Sequence, residues 1–260
     1  MAQNIPKDFI DNLLEKVNIV DVIGNYIKLE KKGNDYWARC PFHSEKTSSF
    51  SVSENKQFFH CFGCGAHGNS IGFVMDHSNK TYPEAIETIA NSLGIEIPRD
   101  KESTKKFEAK KIIQNSLEDA KKQFEKQLKN SEKAISYLKD RNISGETAKL
   151  FNIGYADDNF QALIKNLEKK YTELNLLDAG LIVKKENKTY DKFRHRIMFP
   201  IHDVSGKTIA FGGRIIEENL KIPAAKYMNS PETPLFSKKK VLYNLNLAKQ
   251  TKESRESLYV

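Results

Sequence analysis

The sequence predicts an α+β protein in two parts: a small, metal-braced antiparallel sheet with flanking helices, then a larger segment of mixed helices and strands. Three observations predict it. All three cysteines fall between positions 40 and 64, and with a histidine they make two short-spaced pairs. The apolar pattern switches between a helical period and a period of 2 several times along the 260 residues. A nearly apolar-free charged run, residues 99–106, divides the chain. At about 100–200 residues per domain the length fits two domains, placed at 1–100 and 107–260. Residues 99–106 are the linker or, read otherwise, the solvated first turn of the next helix.

Each element has its own signal. A helix is expected after Pro6, where Phe9, Leu13, Leu14 and Val17 recur at helical spacing. Ile19–Ile23 is a second short apolar stretch ending near Gly24, and Ile27-Lys28-Leu29 alternates before a turn at Lys32-Gly33-Asn34. Tyr36–Cys40, Phe50–Val52 and Phe58–Cys61 read as short strands, the last two joined by a turn at Glu54-Asn55-Lys56. From Asn69 the period is helical, through Ile71, Val74 and Met75. Thr81 and Glu84 make a capping box for a helix with Ala85, Ile86, Ile89, Ala90 and Leu93 on one face, and Gly94 ends it. In 107–139, Ile113, Leu117, Ala120, Phe124 and Leu128 step by three or four along a mostly helical stretch. A short helix starts at Ser144–Thr147, a strand covers Ile153–Ala156, and Asp157-Asp158 reads as the cap of a helix over Phe160–Lys170. Leu181–Val183, Arg196–Ile201 and Thr208–Phe211 are β-like, with Val204–Lys207 as a hairpin turn.

With 39% hydrophobic and 29% charged residues, the chain has enough apolar material for a core. No apolar run approaches the ~18–20 residues of a membrane span. The N-terminus lacks the apolar stretch and cleavage site of a secretory signal, so a cytoplasmic protein with no membrane partner is expected. The net charge of +8 is unevenly spread. Residues 1–100 carry 10 Lys and Arg against 13 Asp and Glu, whereas residues 101–260 carry 32 against 21. A basic second part suits phosphate-rich partners, although solubility alone also explains such a charge.

Cys40-Pro41-Phe42-His43 and Cys61-Phe62-Gly63-Cys64 each hold two residues between ligand types, and seventeen residues separate His43 from Cys61. Ligands so spaced sit on one tight turn and can face one ion. Gly63 and Gly65 permit the turn that brings amide N–H groups toward the sulfurs. Two such knuckles make a tetrahedral cage of Cys40, His43, Cys61 and Cys64, which suits one zinc ion in a zinc ribbon. With four protein ligands no position is left for water, so the zinc is structural. Residues 36–68 are too few to bury much core, and metal binding, on the order of 10–16 kcal/mol, is folding energy here. His60 and His67 are rival ligands; His60 would project to the face opposite Cys61. Trp37, Arg39, Phe50, Lys56, Phe58 and Phe59 either stack on unpaired bases and touch phosphates or form the ribbon's small core.

The segments Val20–Ile23, Cys40–Phe50 and His60–Gly65 resemble the zinc-binding domain of bacterial DNA primases of the DnaG type. Asp191–Ile201, Phe211–Arg214 and Lys226–Phe236 look like motifs of the primase polymerase core, in that family's order. The resemblance implies a zinc ribbon with flanking helices, then the N-terminal subdomain of a Toprim-type primase core. It implies DNA-templated synthesis of short RNA primers on single-stranded DNA by a nucleotidyltransferase, with nucleoside triphosphates as substrates. A replicative helicase would be a partner through a C-terminal part, and the protein would be a monomer. Arg141, Arg194, Arg196, Arg214, Lys226, Tyr227, Asn229 and Lys238 match positions that line the template and nucleotide groove. Chemistry adds Lys192 to this set: alternation from Lys192 onward would put Arg194 and Arg196 on one sheet face. Guanidinium forks fit phosphate oxygens, and Gly212-Gly213 would let backbone approach a phosphate. His195 reads as a surface residue.

Polymerase chemistry also needs Mg²⁺ or Mn²⁺ held by clustered carboxylates. The resemblance places these in the Toprim segment, and Ser257-Leu258-Tyr259-Val260 looks like its first strand. No catalytic residue is therefore assigned up to Val260, and the chain alone is expected to bind single-stranded DNA without making primers. Two other readings are a non-catalytic zinc-ribbon nucleic-acid binder and a phage- or plasmid-encoded primase fused to a helicase.

Overall fold

The computed structural model describes residues 5–98, 101–186, 188–216 and 225–249. Up to Thr104 they belong to one unit, and Lys105–Leu247 form a second. Of the expected linker 99–106, residues 99 and 100 lie outside the described residues, and from Lys101 onward the backbone is already helical.

In the first unit, α1 (Lys7–Lys16) starts directly after Pro6. The Asn18 side chain accepts from Val20 N and so caps α2 (Ile19–Gly24). A five-stranded antiparallel sheet follows, in the order β1 (Glu30–Lys32), β2 (Asp35–Ala38), β3 (Phe50–Ser53), β4 (Phe58–Cys61) and β5 (His67–Gly68). β1 and β5 are too short and polar to carry a period-2 signal. Asn69 caps α3 (Ser70–Ser78), and the Thr81–Glu84 capping box starts α4 (Tyr82–Ser92) as expected. Ala38, Phe50, Val52, Phe59 and Cys61 point to the buried side of the sheet, where Leu13, Ile23, Phe73, Ile86 and Ile89 cover them. Phe50 and Phe59 are therefore core, whereas Phe58 is exposed. Trp37, Ser51, His60 and His67 stand opposite one another across four strands on the other side.

The second unit is organised around α5 (Lys101–Lys129), whose Ile113, Leu117, Ala120, Phe124 and Leu128 are all buried at the spacing read from the sequence. The helix stops at Lys129, and Ser131 caps a separate α6 (Glu132–Lys139). Ser144 caps α7 (Gly145–Leu150), which leads into β6 (Gly154–Ala156). A Cβ on Gly154 would lie 2.5 Å from Phe124 Cβ, so the glycine lets α5 lie directly on β6. The helix expected over Phe160–Lys170 is shorter, α8 (Ala162–Leu167), and α9 (Glu173–Asp178) follows under its own Thr172–Asn175 box. β7 (Ile182–Lys185) and β8 (Lys188–Asp191) form a hairpin. β9 (Arg196–His202) and β10 (Thr208–Ile215) form the centre of a second antiparallel sheet, ordered β11 (Tyr227–Asn229), β10, β9, β6. A 3₁₀ turn (Lys238–Lys240) and α10 (Leu245–Ala248) complete the described chain.

Candidate metal centre and basic groove

The two knuckles converge. The ligand atoms of Cys40, His43, Cys61 and Cys64 all lie within 4.8 Å of one another. Cys40 Sγ is 3.8 Å from Cys64 Sγ, and Cys61 Sγ is 3.8 Å from His43 Nδ1. Four bonds of ~2.3 Å at tetrahedral angles place ligand atoms about 3.8 Å apart, so the donor set fits one structural zinc ion. Neither His60 nor His67 belongs to the cluster. They face each other on β4 and β5, with ring centroids 6.3 Å apart.

Backbone amides support the sulfurs: Phe42 N donates to Cys40 Sγ and Cys64 N to Cys61 Sγ, both at 3.4 Å. Without metal, burial pushes the Cys40 thiol up to about 12. For Cys61, burial is outweighed by the Ser49 hydroxyl and nearby amides, which hold its pKa below the ordinary value. Glu45 is the support that spacing alone does not reveal. Its Oε1 accepts from Cys40 N at 2.6 Å and from Ser49 N at 3.2 Å, and its Oε2 stands 3.3 Å from His43 Nε2. A carboxylate there keeps the proton on Nε2 and leaves the Nδ1 lone pair for the metal. Gly63 is needed by contact, because a Cβ would sit 2.7 Å from His43 Nε2.

In the second unit the expected groove residues divide. Arg214 and Tyr227 are directly paired across β10 and β11, and Gly212 pairs with Asn229. Arg214 donates from Nη1 to the Tyr227 hydroxyl, and its guanidinium lies 5.0 Å from that ring centroid. Tyr227, Asn229 and Lys238 line a concavity of about 380 Å³ whose floor includes Phe199, Gly212 and Phe236. Arg141, just beyond α6, stacks at 4.1 Å on Tyr137, whose hydroxyl accepts from Arg214 Nε. Lys226 is exposed beside Tyr227.

Arg196, expected on the groove wall beside Arg194, is only 3% exposed. It donates to the carbonyls of Ala225 at 2.7 Å, Gly213 at 3.3 Å and Lys226 at 3.4 Å, and so ties β11 into the sheet. Burial is the main cause that lowers its pKa. Arg194 precedes β9, and His195 at φ +55° breaks the alternation that would have aligned the two arginines. Arg194 instead donates to the Asp191 carbonyl and lies 4.3 Å over Phe160. Lys192 is half-buried in the same connection, and burial lowers its pKa. His195, read as a surface residue, is buried. Both glycines border the concavity, and a Cβ on Gly213 would meet Arg196 Cδ at 3.0 Å. Asp157 accepts from Asn159 N and Gln127 Nε2, and the carboxylate at the start of α8 is Asp191. Ser257–Val260, read as the start of a strand, lies outside the described residues.

Two family models match in succession: a CHC2 zinc finger over residues 5–105 and the N-terminal domain of the DNA primase catalytic core over residues 123–249. A DNA primase of Pasteurella multocida is 44% identical over 269 residues, covering 100% of this chain and 45% of the relative. One of Legionella pneumophila is 42% identical over 264 residues, covering 100% and 44%. The chain thus spans less than half the length of these relatives. Among solved structures, a DnaG primase catalytic domain bound to single-stranded DNA matches at TM-score 0.50 and 32% identity, over 55% of this chain and 46% of that one. The Mycobacterium tuberculosis primase RNA polymerase domain, in complex with a double-stranded DNA oligomer bearing a 6-nucleotide overhang, matches at TM-score 0.51 and 28% identity, over 54% and 44%. With a zinc-finger segment followed by a core segment, a preformed Cys3His cluster, and primase relatives that match this chain over its full length, the chain belongs to the bacterial DnaG-type DNA primase family, over its zinc-binding part and the N-terminal part of its polymerase core.

Proposed function

We propose that this chain is the template-binding part of a DNA primase, an RNA-polymerising nucleotidyltransferase that lays short RNA primers on single-stranded DNA. The observation that carries the reading is the convergence of Arg141, Arg214, Tyr227, Asn229 and Lys238 along one edge of the second sheet. Guanidinium forks there meet phosphate oxygens, and the exposed Tyr227 ring offers a stacking face. Lys192, Arg194 and Lys226 extend the positive field, and Arg196 holds the edge strand from within. Residues 1–100 act as the zinc-binding domain, 99–106 as a linker, and 107–260 as the N-terminal core subdomain leading into the Toprim segment. In the two solved relatives the matched region belongs to nucleic-acid complexes, which supports the same partner here.

The chemistry step needs Mg²⁺ or Mn²⁺ on clustered carboxylates. Among the described residues the one candidate metal cluster is the Cys3His set, which suits zinc. The catalytic carboxylates belong to sequence following Val260, and no catalytic step is assigned to residues of this chain. The complete protein works as a cytoplasmic monomer beside a replicative helicase. Purified chain should bind a single-stranded oligonucleotide, and Arg214→Ala should weaken binding and lower the salt slope by about 1. The same chain with Mg²⁺ and nucleoside triphosphates should make no primer; primer synthesis would overturn the assignment of catalysis to sequence beyond Val260. A simple nucleic-acid binder is the competing reading. Joined to a Toprim segment, the chain should gain primer synthesis that Arg214→Ala abolishes, whereas a binder gains none.

A further inference from the structure

Tyr137, on α6, touches both cations of the ridge, and nothing in its sequence setting marks it. Its hydroxyl accepts a hydrogen bond from Arg214 Nε, while the Arg141 guanidinium lies 4.1 Å from its ring centroid. Arg214 continues to Tyr227, through a hydrogen bond to the hydroxyl and a ring contact at 5.0 Å. Cation and ring therefore alternate in the order Arg141, Tyr137, Arg214, Tyr227. Two guanidinium ions held this close repel one another. A ring between them presents its negative face to one and an oxygen lone pair to the other, so both are held without a carboxylate cancelling their charge. Among the described residues neither Arg141 nor Arg214 has an acidic partner. The Tyr137 hydroxyl also raises the Arg214 pKa, the first of the causes acting on it.

We propose that Tyr137 is a positioning residue of the groove, fixing Arg214 and Arg141 at a set spacing for successive phosphates of a single strand. The proposal rests on the nucleic-acid reading of the groove. Its energetic content is preorganisation: the guanidinium groups lose their rotamer freedom in folding rather than in binding.

The test measures affinity for a fluorescent oligo-dT over a salt series, using the 260-residue chain and four variants: Tyr137→Phe, Tyr137→Leu, Arg214→Ala and the Tyr137→Phe/Arg214→Ala double. Tyr137→Phe should weaken binding roughly tenfold, the size of one charge-assisted hydrogen bond. Its salt slope and thermal midpoint should match the parent, since no charge and little packing is removed. Tyr137→Leu should weaken it further by freeing Arg141, so the conservative variant rescues part of the loss. Tyr137→Phe should add nothing once Arg214 is gone. Arg214→Ala weakened with Tyr137→Phe at parental affinity overturns the role of Tyr137 alone, as does an equal loss from Tyr137→Phe in both backgrounds. Arg214→Ala at parental affinity overturns the groove reading, and the role of Tyr137 with it.

Discussion

At the scale of single residues, the metal centre depends on two residues that bind no metal. Glu45 gathers the Cys40 and Ser49 amides, the Ser49 hydroxyl and His43 Nε2 around one carboxylate. Burial works against that charge, but the Ser49 hydroxyl and the two amides outweigh it and hold the Glu45 pKa low. Gly63 supplies the space that the His43 ring occupies. Gly63→Ala would place a methyl 2.7 Å from His43 Nε2 and 3.0 Å from Ser49 Oγ, so the ring must turn away from the ion. Zinc affinity should fall about 10- to 100-fold, the usual penalty for disturbing a ligand's support. Competition against a chromophoric chelator measures it; parental affinity would show that the ring can shift without cost. Arg196 teaches the opposite lesson about arginine. Its planar fork serves three backbone carbonyls inside the fold, and the ridge next to it depends on that service.

At the scale of elements, α8 shows how a helix can borrow its cap. Gln161, at its N-cap, makes no side-chain cap bond. Asp191 closes β8, and its Oδ2 accepts from Leu163 N at 2.7 Å and its Oδ1 from Ile164 N at 3.1 Å. Only 2% exposed, this carboxyl is pushed up to about 6 by burial, despite the two amides that favour its charge. A carboxyl that holds its proton more tightly folded than unfolded stabilises the fold fully below its ordinary pKa near 4. That contribution is lost as pH rises through about 6. Asp191→Asn removes the titration. Urea unfolding of parent and variant from pH 4 to 7 should show the parent losing up to about 2–3 kcal/mol relative to the variant across that window. A difference flat with pH would mean that the amides, not burial, set this carboxyl. The hydrogen bonds to Leu163 and Ile164 also explain why α8 starts at Ala162 rather than at Phe160.

At the scale of the whole molecule, each unit has its own apolar core. In the first, Phe50, Phe59, Phe73 and Ile86 gather on one side of the metal-bound sheet; in the second, Leu117, Phe124, Met198 and Phe211 gather between α5 and the β9–β10 ribbon. All four metal-ligand residues lie in the first unit. Chelation at neutral pH should strip amide-exchange protection from β2–β5 and leave β9 and β10 protected, as read by hydrogen exchange. Loss of protection in both sheets would show that the zinc also stabilises the second unit. Readded Zn²⁺ should restore the first sheet with release of protons, because burial favours the neutral Cys40 thiol without metal.

The Cys-x₂-His and Cys-x₂-Cys pairs, the caps at Thr81 and Ser144, and the apolar stripe of α5 are properties of a few neighbouring residues. The amino-acid order alone determined them, together with the two-part α+β plan and the family. The short strands β1, β5, β8 and β11 escaped because pairing with a neighbour, not their own pattern, makes them strands. The same holds for the groove. Alternation placed Arg194 and Arg196 side by side, and one left-handed residue, His195, separated them. The meeting of Arg141, Tyr137, Arg214 and Tyr227 joins positions up to 90 residues apart. Only tertiary structure decided which arginine is buried, which lies nearer the surface and which tyrosine contacts two arginines. Local sequence dictates the knuckles, the capped helices and the stripe of α5, whereas long-range packing makes the short strands and decides who shares a surface.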